Sequence, residues 1–325
     1  MPGKPSLIGQ GSEMRQRGLS LVELLVSMAL GLLLLAGVIQ VVLGSKRSYQ
    51  AGIALAELQE NGRFALEAMA QDLRNAGFTG ACADGLVNVS GDGGAQYAVE
   101  KSAIEGYGSG MPAAAWVPSG RLANTDAVLL RYAADPVLEA RTITGNRLLL
   151  ASAGAVAGAF YVLSDQQSCL LLRNAGNASS LVAGRSLGHL LAPATRVYPY
   201  RYVIYWVGRG VDGTPGLFIT DNSETTGVAQ TSELVNGVAG MSLRYGVAGA
   251  GGEWVAAYKT AREMSSGDWR RVRTVRLSLL LQSQSREVDE APGTLEFGGR
   301  TLAPNAERRL RLVMGSTAAL RNPLP

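Results

Sequence analysis

One carboxylate stands near the start of a long apolar run, where an ionisable group is costly. Glu23 is the only charged residue from Leu19 to Gly44, and Ser27 and Gln40 are the only clearly polar residues after it. A helix needs roughly 20 such residues to cross a bilayer. A carboxylate in that span costs on the order of a few kcal/mol, so it indicates function by default. Two interpretations stay open: a buried acid that requires an opposite charge at contact distance, and an acid that snorkels to the membrane surface.

The residues before the apolar run predict its orientation and its processing. Arg15 and Arg17 precede it, which predicts a cytoplasmic N-terminus. A secretory signal peptide would be cut after its apolar core, and Ala36-Gly37 and Gly44-Ser45 are weak candidates for that cut. The alternative is a cut before the core, at Gly18–Leu19.

Composition narrows the class of protein. The chain has 325 residues and a net charge of +4, with 41 glycines but only 26 acidic residues. Residues 1–18 carry three of the basic residues and one acid, so the part after Gly18 has a net charge of +2 (4 − 2). No basic stripe with interleaved aromatic residues occurs, which argues against nucleic-acid binding. The balance predicts a loop-rich, extracytoplasmic β domain. We expect no cofactor.

Two cysteines, Cys82 and Cys169, are the only ones in the chain. If the body of the protein lies outside the inner membrane, a disulfide between them is the simplest interpretation. The alternative is two buried free thiols. Neither cysteine has a neighbour at the spacing of metal ligands, so the sequence predicts no zinc site.

The segment Gly18-Leu-Ser-Leu-Val-Glu23 resembles the class III signal of type IV pilins and of type II secretion pseudopilins. The resemblance implies cleavage after Gly18 by prepilin peptidase and N-methylation of Leu19, which replaces the usual Phe. It further implies that Glu23 pairs with the N-terminal amine of a neighbouring subunit. Met14 would be the start of a short leader of a kind common in that family.

Further segments are similar to the PilW group of large minor pilins. They are Leu58-Gln-Glu-Asn-Gly-Arg-Phe-Ala-Leu66, Asp72-Leu-Arg-Asn-Ala-Gly-Phe78, Val235–Gly246 and the tail Thr317-Ala-Ala-Leu-Arg-Asn322. The resemblance implies a pilin-like α+β fold, in which a long N-terminal helix packs on an enlarged antiparallel β head of two sheets.

The periodicity of the sequence extends the helix beyond the apolar run. A stripe at steps of three or four residues predicts one helix over 19–77, with a membrane-spanning part at 19–43 and a part packed on the head at 53–76. The stripe consists of Leu55, Leu58, Gly62, Leu66, Met69, Leu73 and Ala76. Residues 1–18 would form the leader and 78–325 the head, with a variable Gly-rich insertion at 84–122.

Nine apolar or alternating runs in the head predict strands. They are Ala127–Tyr132, Arg147–Ala151, Phe160–Leu163, Cys169–Leu172, Arg196–Val207, Leu217–Thr220, Gly240–Tyr245, Trp254–Tyr258 and Val272–Leu281. Pro199 predicts that the fifth of them either begins after that residue or bends there.

Other reactive residues favour no enzyme. His189 is the single histidine and lies among leucines, so a structural role is the better interpretation. A calcium site near Asp212 or Asp221–Glu224 would need several oxygens from one loop, and ordinary turns explain these acids. The sequence therefore predicts no catalytic residue and no metal site.

These observations lead to three hypotheses. The first is a minor pilin that helps to initiate type IV pilus assembly in a tip or priming complex. Its partners would be other minor pilins, the major pilin, a tip adhesin, prepilin peptidase and the inner-membrane assembly platform. It would be held in the inner membrane, with its head in the periplasm, before it enters the fibre. The second hypothesis is a minor pseudopilin of a type II secretion system, and the third is an enzyme on a signal anchor.

Overall fold

The computed structural model describes residues 20–322, except 92, 113, 188, 189, 191, 193, 223–227, 250, 251, 253, 287 and 290–292. The chain divides into two compact units, Met1–Gln50 and Ala51–Pro325. One α-helix, α1 (Leu21–Asn75), contributes to both. In the first unit, every described residue is exposed.

In the second unit, α1 is followed by the head, which is dominated by strands. Its described strands are β1 (Leu86–Asn88), β2 (Ile104–Tyr107), β3 (Ala127–Ala133), β4 (Leu138–Thr144), β5 (Arg147–Leu150), β6 (Phe160–Ser164), β7 (Cys169–Arg173), β8 (Ser180–Val182), β9 (Arg196–Arg209), β10 (Pro215–Asn222), β11 (Ala229–Asn236), β12 (Val238–Ala248), β13 (Val255–Lys259), β14 (Val272–Gln282), β15 (Leu295–Phe297), β16 (Arg300–Leu302) and β17 (Arg311–Ala319). Short 3-10 turns lie at Ala95–Tyr97, Ala261–Glu263 and Trp269–Arg271. All nine predicted strands are confirmed, with ends shifted by a few residues.

Among the described residues these strands form three sheets, where the sequence predicted two. An eleven-stranded sheet contains β1 to β11, a four-stranded sheet has the order β13-β12-β14-β17, and β15 pairs with β16. The prediction of a purely antiparallel head is also wrong in one place, because β1 runs parallel to β7. The fold is nevertheless of the pilin-like α+β kind, with a long apolar N-terminal helix and a large β-rich head.

Strand β9 is the centre of the large sheet. It begins at Arg196 and runs through Pro199, which excludes the later start, one of the two alternatives predicted for this strand. Up to and including Pro199, β9 pairs with β6 and β4; from Tyr200 onward it pairs with β3 and β10. The proline, which lacks an N–H donor, lies where the neighbouring strands change, and its carbonyl accepts a bond from Ala134 N.

One hydrophobic core joins the second half of α1 to both large sheets. The helix contributes Leu58, Met69 and Leu73 to it, and the strands contribute residues such as Leu130 and Leu277. This confirms the predicted helical stripe apart from its first member. Leu55 is 38% exposed, and Ala54 is buried in its place. The stripe therefore begins one residue earlier than the sequence suggested.

Candidate functional site

The helix that carries Glu23 begins at a side-chain cap. The backbone N–H of Glu23 donates to Ser20 Oγ at 3.2 Å, and Leu24 N donates to the Ser20 carbonyl at 3.1 Å. A serine at this position satisfies a helix N–H that has no partner inside the helix. Sequence reasoning missed this role of Ser20, although Ser20-Leu-Val-Glu23 has the Ser-x-x-Glu spacing of a capping box. The predicted cleavage and methylation residues, Gly18 and Leu19, lie outside the described residues.

The carboxylate of Glu23 is exposed and makes no ion pair with any described residue. It lies in the first turn of α1, where the partial positive charge of the helix N-terminus favours an acid. The hydroxyl of the nearby Ser27 donates to the Leu24 carbonyl at 2.9 Å, so its hydrogen bond is made within the helix. Glu23 is thus the one charged group between Ser20 and Gly44, a described and continuous stretch, and it is available to a partner.

The remainder of this segment fulfils the requirements of a membrane span. By length and composition, α1 contains one stretch apolar enough to cross a bilayer. None of that stretch is buried within the protein. An added Cβ at Gly31, Gly37 or Gly44 would meet nothing within 4 Å. In water such an exposed apolar surface would be costly, so it requires lipid or other helices as its surroundings.

Farther along α1, Gly62 allows the helix to approach the four-stranded sheet. A Cβ at this position would lie 2.5 Å from Met314 Sδ and 2.6 Å from Leu281 Cδ1. No such constraint acts on Gly52, where a Cβ would meet nothing within 4 Å. The glycine of the Gln-Glu-Asn-Gly-Arg-Phe run therefore has a packing role in the head.

Asp72 connects the helix to the large sheet through two buried hydroxyls. Tyr132 of β3 donates to Asp72 Oδ1 at 2.8 Å, and Tyr205 of β9 donates to Asp72 Oδ2 at 2.7 Å. Burial, together with the nearby Asp72 charge, raises the pKa of both tyrosines well above the ordinary value. Both phenols therefore stay protonated and continue to donate. The sequence offered no signal for this contact, since its members are far apart in the chain.

The helix ends at a glycine that lies against the last described residue. Gly77 has φ +85° and donates its N–H to the Arg131 carbonyl, as suits a glycine just past a helix end. Asn322 Nδ2 donates to the Arg74 carbonyl at 3.4 Å. A Cβ on Gly77 would lie 2.0 Å from the Asn322 carbonyl oxygen. The two ends of the head therefore meet at the helix C-terminus.

Replacing Gly77 with alanine is expected to lower the free energy of unfolding by about 3 kcal/mol, since it combines backbone strain with displacement of the tail. Gly85 is a matched control. It has nearly the same φ, +80°, but a Cβ there would meet nothing within 4 Å. Gly85→Ala should cost only the strain, about 1 kcal/mol. Thermal and denaturant unfolding of the full chain in detergent would measure both, and equal losses would contradict the proposed role of the tail.

The structure forms the Cys82–Cys169 disulfide that the sequence predicted, with the two Cα atoms 5.4 Å apart. Cys82 lies in the segment after the helix, and Cys169 begins β7. Hydrogen bonds run beside the disulfide, from Asp84 N to the Gln167 carbonyl at 2.8 Å and from Ser164 Oγ to the Ala81 carbonyl at 2.6 Å. The segment after the helix is therefore joined to the β6–β7 region both by the disulfide and by hydrogen bonds.

The other residues considered from the sequence do not form a site. His189 and Glu224 lie outside the described residues. Asp212 accepts bonds from the backbone and hydroxyl of Thr214, which lower the pKa of its carboxyl, as in an ordinary turn. Within the described part of the chain, no three His, Cys, Asp or Glu residues are grouped as metal ligands.

Two family models match the chain. Residues 14–39 match the prokaryotic N-terminal methylation motif, which defines a protein with a prepilin-type N-terminus. Residues 204–322 match the family described as Type IV Pilus-assembly protein W, PilW. No curated protein and no solved structure matches the chain.

These matches support a minor pilin of a type IV pilus. Residues 204–322 include two of the segments that carried the resemblance, Val235–Gly246 and the Asn322 tail, while Leu58–Leu66 and Asp72–Phe78 lie outside them. The prepilin-type signal and the apolar helix support anchoring in a membrane and association with a pilus. Pilins interact with other pilus components, and neither matched family is an enzyme class.

Proposed function

We propose that this chain is a minor pilin that takes part in initiating type IV pilus assembly, as part of a tip or priming complex with other minor pilins. The observation that carries the proposal is the exposed apolar helix with one unpaired carboxylate, Glu23, in its first turn. Prepilin peptidase would remove residues 1–18 by cutting between Gly18 and Leu19. The new N-terminus, Leu19, would then be N-methylated.

Assembly would exchange lipid for helices of the same kind. An apolar helix gains little by leaving a bilayer unless other apolar helices replace the lipid. A carboxylate in that environment needs an opposite charge at contact distance. The ammonium of Leu19 on a neighbouring subunit would supply it, so cleavage and assembly would be coupled through Glu23.

The proposal also gives a role to the other segments of the chain and names its further partners. Residues 19–77 would serve as the spine helix, 78–325 as a periplasmic head before assembly, and 84–122 as a variable insertion. Further partners would be the major pilin, a tip adhesin and the inner-membrane assembly platform. After assembly the chain would lie in the fibre, near its tip, where it would contribute to adhesion and twitching motility.

The second candidate, a minor pseudopilin of a type II secretion system, shares the N-terminal signal. The match of residues 204–322 to a pilus-assembly family favours the pilus. Deletion of the gene separates the two, since loss of surface pili and twitching supports the first candidate and loss of exoprotein release supports the second.

Mass spectrometry of the mature chain tests the proposal directly. The expected N-terminal residue is Leu19, carrying a methyl group on its nitrogen. A chain recovered from functional fibres with residues 1–18 still attached would overturn the mechanism, because the ammonium partner of Glu23 would not exist. If Leu19 is the first residue but carries no methyl group, the proposed cleavage would stand and the proposed methylation would be wrong.

A further inference from the structure

The last strand of the head, β17, forms one of the two edges of the four-stranded sheet. It pairs with β14 from Arg311 to Ala319 without a break in register, and no described strand pairs with its other side. A bare edge is a template for pairing with another chain, so proteins usually shorten, charge, bulge or cover their edges. The length and regularity of β17 make it a candidate for such pairing.

Two bonds beside the strand show which of its backbone groups face away from β14. Ser283 N donates to the Leu310 carbonyl at 2.9 Å, and Leu320 N donates to the Arg273 carbonyl at 2.8 Å. Bonding alternates along an antiparallel pair, so the even-numbered residues between Leu310 and Leu320 bond to β14. The outward-facing N–H and C=O groups are those of Arg311, Val313, Gly315, Thr317 and Ala319. No described backbone group bonds to them.

Every other described strand at a sheet edge has a feature that hinders pairing. The strands β1, β2, β8, β15 and β16 have only three or four residues. Strand β11 carries Glu233 and has a register shift in its pairing with β10, and β13 ends at Lys259 and has a shift in its pairing with β12. In contrast, β17 has no shift, and Leu312 to Leu320 contain neither a charge nor a proline. It is therefore the one described edge without such protection.

The apolar core is open beside this edge. Leu312 and Met314 face α1, and Met314 lies against Gly62, yet both side chains are only half-buried. Leu277 and Leu279 of the neighbouring β14 are fully buried in the same core. A further strand with apolar side chains at alternate positions would cover Leu312 and Met314, and burial of such surface is favourable.

The opposite face of β17 is open and free of charge. Gly315, Thr317 and Ala319 alternate with the core-facing residues, and all three are exposed. Their side chains are small, so an added strand would meet no bulky group on this side. The two faces together define the occupant as an extended segment without proline, with apolar side chains towards α1.

A second copy of this chain does not fit the edge. Two β17 strands paired antiparallel would be related by a twofold axis perpendicular to the sheet. A half-turn about that axis reverses β17 and also α1, which packs on one face of the sheet. The two helices would then run in opposite directions, whereas copies anchored in one membrane through their apolar N-terminal segments run the same way. Parallel pairing is less stable, so the fitting strand belongs to a different protein.

We propose that β17 is an attachment edge to which another minor pilin of the same complex adds a β-strand. The bonds from its backbone give affinity, and the alternate side chains that meet Leu312 and Met314 give specificity. The inference rests on the proposed function, because that function supplies other minor pilins as neighbours.

Hydrogen exchange of the processed full chain in detergent, measured at single amides, tests the pairing. Without a partner, the amides of Leu312, Met314 and Ser316 should exchange slowly, while those of Val313 and Thr317 exchange fast. The probes are the other minor pilins of the same organism, each purified and added separately. One of them is expected to slow exchange at Val313 and Thr317 at least about tenfold, because a strand bond replaces water there.

Proline substitutions give a second measurement. Val313→Pro with Thr317→Pro removes two outward N–H donors and leaves the bonds to β14 in place, as an edge strand tolerates. This variant should bind that minor pilin at least about tenfold more weakly, because carbonyl groups of the partner lose their donors. Val313→Ala with Thr317→Ala is the matched control, since it changes the same side chains but keeps both donors. It should bind nearly as tightly as the wild type.

Two results would overturn the proposal: unchanged exchange at Val313 and Thr317 with every minor pilin, or equal binding of the proline and alanine variants. Protection by the major pilin alone, or by a second copy of this chain, would overturn the choice of partner. If the proline variant fails to fold, exchange in the wild type still decides. An intact leader on functional fibres would instead contradict the proposed function, and exchange at β17 would still show whether the edge accepts a strand.

Discussion

Replacing Glu23 with alanine is expected to reduce incorporation of the chain into pilus fibres at least about tenfold, while its insertion into the membrane stays intact. Removing one partner of a buried ion pair typically costs about 3–5 kcal/mol, because the other charge stays buried and uncompensated. That other charge would be the ammonium of Leu19 on a neighbouring subunit. Insertion should not suffer, because the variant helix is more apolar than the wild type.

Two further variants sharpen this test. Glu23→Gln keeps the size of the side chain but removes its charge, so it should fail as alanine does. Ser27→Ala is the matched control from the same exposed segment, since the Ser27 hydroxyl is satisfied by the Leu24 carbonyl. It should assemble normally. Quantitative immunoblots of sheared fibres and of membranes measure both steps, and normal incorporation of Glu23→Ala would disprove the charge pair.

Removing the Cys82–Cys169 disulfide is expected to lower the free energy of unfolding by about 4 kcal/mol. The cysteines are 87 residues apart in sequence, and closing so long a loop restricts the unfolded chain by about 4–5 kcal/mol in the entropic account. The neighbouring bonds of Asp84 and Ser164 should hold the junction in its folded form without the covalent link. The loss should therefore arise mainly from a less restricted unfolded state.

Denaturant unfolding with and without a reductant provides the measurement. The wild type in reductant should match the Cys82→Ser, Cys169→Ser variant, and reductant should not change that variant further. A loss below about 1 kcal/mol would contradict the loop-closure argument, because that is the scale of one ordinary hydrogen bond.

Sequence reasoning performed best where one periodicity dominates. The second half of α1 has distinct apolar and charged faces over about six turns, and its stripe was misplaced only at Leu55. Strand β3 is largely an apolar run and β14 alternates through Val275, Leu277 and Leu279, so both were found as well. Strand β11 was missed because its first five residues are all exposed, which leaves no apolar face to recognise. Strand β9 was found, but the sequence left open whether it continues through Pro199. Proline lacks the N–H that a central strand needs, and the sequence does not show that the partner strands change at this residue.

The residues of the candidate site also differ in whether the sequence alone reveals their roles. Glu23 and the two cysteines are visible in the sequence, because a charge in an apolar run and a pair of thiols are local or compositional signals. The roles of Asp72 and Asn322 are not, because each depends on strands that reach the helix from distant parts of the chain.

The contact of Asn322 with the end of α1 joins two parts of the chain that are synthesised far apart in time. Arg74 and Asn322 are separated by 248 residues, and β17, which completes the four-stranded sheet, is synthesised just before Asn322. All the strands between these two residues must therefore be synthesised before the helix end can receive this bond. Contacts of such long range form slowly. Closure of the helix end is therefore a late event relative to formation of α1, which consists of local contacts only.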